Sequence, residues 1–185
     1  MKPETSPVLK GVVALSNRIT RLIMMEILKY PDVQGRAGIM EHILRVGEEL
    51  QSMQNFEGMF SVMGALTGGP IARLNQTMNA MSPEAKSVMA RLKNYTANNF
   101  KRYRREVAEL VQQGQEAQGK VNFLLFSACT FRDLVYIEEL QNMRDSENSE
   151  DEAQYINWKK MELLYDILNG HTIVQDSNFN VLPNE

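Results

Sequence analysis

The sequence is poor in the residues that most often mark covalent or metal chemistry. Its 185 residues include one cysteine, Cys129, and two histidines, His42 and His171. A single cysteine excludes an internal disulfide framework and fits a reducing compartment. Neither histidine has a cysteine or carboxylate at metal-ligand spacing, which argues against a zinc site. No metal and no cofactor is expected. Cys129 lies in an apolar run with no neighbour in sequence to activate it, so a buried, inert thiol is the expectation. His42 falls in mid-helix and reads as a core or surface residue.

A basic excess is also missing. Lys and Arg total 20 against 23 Asp and Glu, a formal net charge of −3. The basic group Lys101, Arg102, Arg104 and Arg105 lies between apolar residues of one helix and reads as a solvated face, so no nucleic-acid partner is expected. No apolar run approaches the ~18 residues that span a bilayer. The first residues lack the apolar core of a signal peptide. The expectation is a cytoplasmic protein without direct membrane insertion, open to recruitment to membranes by a partner or by other domains.

Catalytic motifs are absent as well. Gly64 to Gly69 (GALTGG) lacks the Lys-Ser/Thr of a phosphate-binding loop and does not follow a strand. Glu138 and Glu139 are adjacent, and helix neighbours point about 100° apart, so they cannot share one substrate atom. Nothing supports a covalent or hydrolytic enzyme.

What the sequence does contain is helical periodicity. Val12, Leu15, Ile19, Leu22 and Ile23 share a face, after Ser6-Pro7 as a start signal and before Pro31-Asp32 as a stop. Ile39, Ile43, Val46, Leu50 and Met53 mark a second helix from about Asp32 to Met53. Further helices are expected over about Phe56 to Leu66, Ile71 to Met81, and from Ser82-Pro83-Glu84, a capped start. Phe100, Tyr103, Val107 and Leu110 mark another. Gln112 to Gly119 reads as a loop. Val121 to Leu140 is the most apolar stretch, Met143 to Gln154 an acidic mobile loop, and Tyr155 to Asn169 a helix closed by Gly170. Twelve methionines read chiefly as core filler. The fold class is all-α: one domain over residues 1–185, an irregular bundle of about seven or eight helices with a protruding helical hairpin near residues 123–169, and loosely structured ends at 1–6 and 171–185.

Several local motifs then fall in a telling order. They are Glu26-Ile27-Leu28; Arg36-Ala37 opening a helix that ends in Gln54-Asn55-Phe56; Met63-Gly64-Ala65-Leu66 through Ile71-Ala72-Arg73-Leu74 and Thr77; Asn99-Phe100 with Tyr103-Arg104; Phe131 and Asp133-Leu134 through Ile137-Glu138-Glu139; and Ile156-Asn157-Trp158 with Lys160. From about Pro7 to Ile167 this order resembles the catalytic domain of Ras guanine-nucleotide exchange factors (RasGEF).

The resemblance implies a partner, a Ras-family small GTPase of Ras, Rap or Ral type, and a mechanism without covalent chemistry. In the family the hairpin enters between the two switch regions of the GTPase and promotes GDP release. By the match, the first arm runs from near Phe126 to near Glu139. Val135 supplies the apolar wedge that crowds the Mg²⁺ position, and Glu139 places negative charge beside the phosphate-binding loop. Arg36, Thr67, Phe126, Arg132 and Glu138 would hold the GTPase, Thr67 standing where many members carry Asn. Gln118 to Asn122 replaces a proline-rich approach to the hairpin, which is expected to loosen its base. Two other functions are compatible with the pattern: a catalytically weak or inactive RasGEF-like scaffold, and an unrelated helical adaptor.

Overall fold

The chain was analysed as a computed structural model, which describes residues 7–117, 121–140, 143–145 and 154–175. Among these residues the order is α1 (Pro7–Leu28), α2 (Val33–Ser52), α3 (Phe56–Thr67), α4 (Gly69–Ala72), α5 (Asn75–Ala80), α6 (Pro83–Lys93), α7 (Ala97–Glu116), α8 (Ser127–Glu139), β1 (Met143–Asp145), β2 (Gln154–Ile156) and α9 (Trp158–Gln175). The molecule is all-α in class, as its periodicity predicts.

Local chemistry sets the helix starts. Asp32 Oδ1 accepts the Gly35 N–H at 2.7 Å and opens α2. Asn55 Oδ1 accepts the Gly58 N–H at 2.8 Å and opens α3. At α6, Ser82 Oγ accepts the Ala85 N–H at 3.2 Å, Pro83 occupies the first turn, and Glu84 meets the positive end of the helix. Caps of this kind contribute about 1 kcal/mol each.

The most apolar helix is the most central. Phe56, Met59, Phe60, Val62, Met63 and Leu66 of α3 are all buried, and both α1 and α2 pack on it. Next, α5 and α6 lie against α2. Met40, Met59, Met63 and Met81 are core residues, whereas Met25 and Met53 are exposed. Four of the five residues of the periodic stripe of α1 face outward, Val12, Leu15, Ile19 and Leu22 being exposed, whereas Ile23 packs against the core. The adjoining side meets the core through Ile23, Met24 and Ile27, and Ser16 Oγ there lies 3.2 Å from Ser61 Oγ while Thr20 Oγ1 donates to the Ser61 carbonyl at 3.4 Å.

Several sequence expectations are corrected. The single helix expected over Ile71 to Met81 is two, because Leu74 leaves the helical region (φ −79°, ψ 59°). Residues Gln112 to Glu116, read as part of a loop, continue α7, because α9 packs there. Gly114 is the reason the two approach so closely: a Cβ on it would stand 2.5 Å from Ile173 Cγ2. Gly170 does not end α9, which runs through it to Gln175, so residues 171–175 are helical rather than loose. Tyr155 belongs to β2, and the second arm begins at Trp158. The ends of the acidic segment pair as an antiparallel ribbon, Met143 with Ile156 and Asp145 with Gln154. The expectations for 1–6, 146–153 and 176–185 lie outside the described residues.

Near the start of α7 the backbone turns left-handed at Asn98, Asn99 and Phe100 (φ 49°, 56° and 60°). Asn tolerates this region. For Phe it costs about 1–2 kcal/mol, offset here by ring contacts to Phe60 and Phe126.

Candidate functional site

The approach to α8 is fastened to the body by backbone and side-chain ties. Residues Asn55 and Leu124 form a parallel bridge, with the Phe56 N–H on the Leu124 carbonyl at 3.1 Å and the Leu124 N–H on the Gln54 carbonyl at 3.0 Å. Phe123 is fully buried. The Phe126 N–H donates to Tyr103 Oη at 2.9 Å, and the Ser127 N–H to Glu57 Oε2 at 2.8 Å. Glu57 thus does from α3 what an N-cap side chain does, setting a negative group at the positive end of α8. These contacts hold residues 123–127, while the expectation of a base loosened over Gln118 to Asn122 falls in part on 118–120, outside the described residues.

The two sides of α8 differ. Cys129 and Ile137 are buried toward the body. Asp133 is gripped in a fork by Arg104, Nη2 to Oδ1 at 2.6 Å and Nη1 to Oδ2 at 2.6 Å. Bidentate pairs of this kind are directional. The Asp133 hydrogen bond, with nearby negative groups, holds the Arg104 guanidinium pKa above its ordinary value. Cys129 is buried, and that burial pushes its thiol up. On the other side Arg132, Val135, Tyr136 and Glu139 are exposed, with Val135 at 43% and Tyr136 at 59%. The three- and four-residue steps from Arg132 through Val135 to Glu139 make this one face.

The second arm crosses back over the first. α9 packs on α8 and on α7, leaving a cleft of ≈ 730 Å³ walled by Tyr103, Val107, Val111, Leu125 and Ile167. With that space between them, the arms and the body are joined by discrete contacts. One lies where the ribbon meets the helices. Asn157 Oδ1 accepts the Lys160 N–H at 3.3 Å. Lys160 Nζ reaches across to the Leu140 carbonyl at 2.7 Å and the Glu138 carbonyl at 3.4 Å.

The remaining sequence-predicted residues have internal partners. Arg36 donates from Nε to Thr77 Oγ1 at 3.1 Å and from Nη1 to the Tyr30 and Pro31 carbonyls at 2.9 and 2.8 Å. It joins the turn between α1 and α2 to α2 and α5, beside a cleft lined by Arg73, Leu74 and Asn75. Thr67 closes α3 with its hydroxyl on the Met63 carbonyl at 2.7 Å. Phe126 stacks on Phe60 and adjoins Phe100 and Tyr103. Arg132 stands over the Phe100 ring at 5.0 Å. Glu138 is exposed next to Glu139. Val135, Glu138, Glu139 and Arg132 are thus brought together on α8, while Arg36 and Thr67 belong to other parts of the bundle.

Sequence reasoning gave Lys160 no role. A signal was available: a lysine in the first turn of a helix opposes that helix's own dipole, so a partner elsewhere should be sought. The forked pair of Arg104 and Asp133, and the capping by Glu57, depend on distant helices and leave no such local sign.

Among the described residues no helix is long and apolar enough to cross a membrane. The chain is 35% identical over 105 residues to RAS guanyl-releasing protein 2-B of Xenopus laevis, covering 56% of this chain and 18% of that protein. It is 29% identical over 167 residues to the putative truncated guanine nucleotide exchange factor SDC25 of Saccharomyces cerevisiae, covering 88% of this chain and 16% of that protein. With RAS guanyl-releasing protein 4 of Rattus norvegicus it shares 33% identity over 101 residues, 54% of this chain and 15% of the relative. The chain therefore spans less than a fifth of the length of each of these relatives. Residues 1–162 match the RasGEF domain, and the chain belongs to the RasGEF domain family.

Proposed function

We propose that the chain promotes guanine-nucleotide release from a Ras-family GTPase, using the outward face of α8. The observation that carries this reading is the division of α8 into two faces. One is anchored to the body through Cys129, Asp133 and Ile137, and the other leaves Arg132, Val135 and Glu139 exposed. A wedge needs that combination, since a helix free to yield would transmit no force to the groove it enters.

Val135 would crowd the Mg²⁺ position of the GTPase. Glu139, one turn on, would bring a carboxylate toward the nucleotide phosphates, where like charges repel. Both effects disfavour the nucleotide-bound state more than the empty one. Such differential binding shifts the GTPase toward nucleotide release and lets exchange run in either direction. Glu138 and Arg132 would extend the contact on α8, and Arg36 and Thr67 would add contacts from the bundle. Phe126 supports the reading from beneath, as the aromatic base on which α8 rests.

A second reading, a scaffold that binds without exchange activity, is favoured by one observation. The Thr67 hydroxyl is already engaged by the Met63 carbonyl, at a position where the resemblance implies a longer hydrogen-bonding side chain. The two readings separate in one experiment. The purified chain is mixed with Ras-, Rap- and Ral-like GTPases loaded with fluorescent GDP, and release is followed with excess unlabelled nucleotide. Acceleration on at least one GTPase is expected. Binding without acceleration across the panel would favour the scaffold, and neither binding nor acceleration would favour an unrelated adaptor.

A further inference from the structure

We infer that Lys160 is a positioning residue that sets the direction in which Glu139 projects. The inference rests on the exchange reading above and assigns a role to a group outside the exposed face of α8.

Lys160 is a buried lysine, 9% exposed. Burying an ammonium is unfavourable unless strong acceptors meet it. Its position on α9 makes matters worse, because the first turn of a helix carries partial positive charge. Two acceptors come from the other arm. α8 ends at Glu139, and its last carbonyls have no partner within the helix. The Leu140 N–H returns to the Ile137 carbonyl at 3.2 Å. The Glu138 and Leu140 carbonyls receive Lys160 Nζ at 3.4 and 2.7 Å. A cation at the negative end of α8 answers that helix's dipole as well as its open acceptors.

Glu139 is the residue between the two carbonyls. Holding the carbonyls of residues 138 and 140 restrains the backbone through Glu139, and hence the line along which its side chain leaves the helix, without touching the carboxylate. Asn157 completes the arrangement. By accepting the Lys160 N–H at 3.3 Å it holds the first turn of α9, so the lysine reaches across from a fixed origin. The ribbon β1–β2 begins just beyond, so the tie sits where the arms would otherwise be free to splay.

The test uses the full chain with Lys160→Met, which keeps an apolar stem without the ammonium, and Lys160→Arg, which restores donors. Three quantities are read: hydrogen–deuterium exchange at residues 137–140, the GDP release rate at saturating chain, and the Kd for nucleotide-free GTPase. Lys160→Met is expected to speed amide exchange at 137–140 and to lower the saturating rate by about tenfold or more. The Kd should change by less than about threefold, and protection in α3 should stay as it was. Lys160→Arg is expected to recover most of the rate. An unchanged saturating rate in Lys160→Met would overturn the inference. So would a parallel loss of rate, Kd and α3 protection, or a failure of Lys160→Arg to recover. If the unsubstituted chain releases GDP from no GTPase, the exchange reading falls and the positioning role with it. The tie between the arms is still decided by amide exchange at 137–140.

Discussion

Phe126 lies on Phe60 with ring centroids 4.1 Å apart and planes inclined by 23°, so the residue that precedes α8 is stacked on the central helix α3. Phe100 and Tyr103 close the cluster at 5.9 and 6.4 Å from Phe126. Removing the ring should therefore act on the fold before it acts on any partner. Phe126→Ala is expected to destabilise by about 2–4 kcal/mol, the range for large-to-small changes in partly to fully buried sites. Urea unfolding measures this. An unchanged midpoint together with lost GTPase binding would show that the ring contacts the partner instead.

Arg36 should behave as a three-way tie. Its bonds to Thr77, Tyr30 and Pro31 require a planar fork. Arg36→Ala is expected to cost about 1–3 kcal/mol, and Arg36→Lys to recover only part of it. If both variants unfold with the parent midpoint yet bind GTPase poorly, the guanidinium serves the partner rather than the bundle.

The pair Val135 and Glu139 should show the opposite pattern. Both are exposed, so Val135→Ala and Glu139→Ala should move stability by no more than about 0.5 kcal/mol. Exchange should fall by tenfold or more in the double variant, on the order of 1.4 kcal/mol or more in barrier height. Undiminished release by the double variant would place the wedge elsewhere.

Gly114 separates helix propensity from packing. An exposed glycine inside a helix is improved by alanine by about 1 kcal/mol. Here the added Cβ would meet Ile173 Cγ2 at 2.5 Å, and overpacking costs about 1–3 kcal/mol. Gly114→Ala should lower the thermal midpoint, and Gly114→Ala with Ile173→Val should recover part of the loss. A raised midpoint in the single variant would mean that α7 and α9 do not meet there.

Tyr95 predicts an alkaline limit to stability. Burial, followed by its hydrogen bond to Glu106 at 2.8 Å, pushes its phenol up to about 12. The folded state then holds the proton more tightly than the unfolded chain, whose tyrosine titrates near 10. The stabilisation is complete below about pH 10 and is lost as pH rises toward 12. Urea midpoints across that window should fall, and fall less steeply in Tyr95→Phe. Identical slopes would remove Tyr95 as the cause.

The parts of this fold that could be read from sequence are those fixed by neighbours along the chain. Asp32 and Ser82 announce α2 and α6 because each cap bonds a residue three positions on. The location of α8 was legible in the same way, from an apolar run ending in two acids. The extent of α7 and α9 was not, since Gly114 and Gly170 are locally helix breakers, and only the meeting of α7 with α9 turns Gly114 into a packing residue. The left-handed turn at Asn98–Phe100 was hidden too, since the Phe100 ring meets Phe60 and Phe126 on distant segments. At the candidate site, motif order led to Val135 and Glu139. It could not reveal that Arg36 and Phe126 already have partners in Thr77 and Phe60, because those partners lie on other helices.

Lys160 Nζ reaches the end of α8 through the Glu138 and Leu140 peptide oxygens. Every amino acid supplies the same carbonyl, so positions 138 and 140 can change identity while the arms stay joined. A lineage could thus retune the tip of the hairpin toward a different GTPase by substitutions at those two positions without first rebuilding the support beneath them.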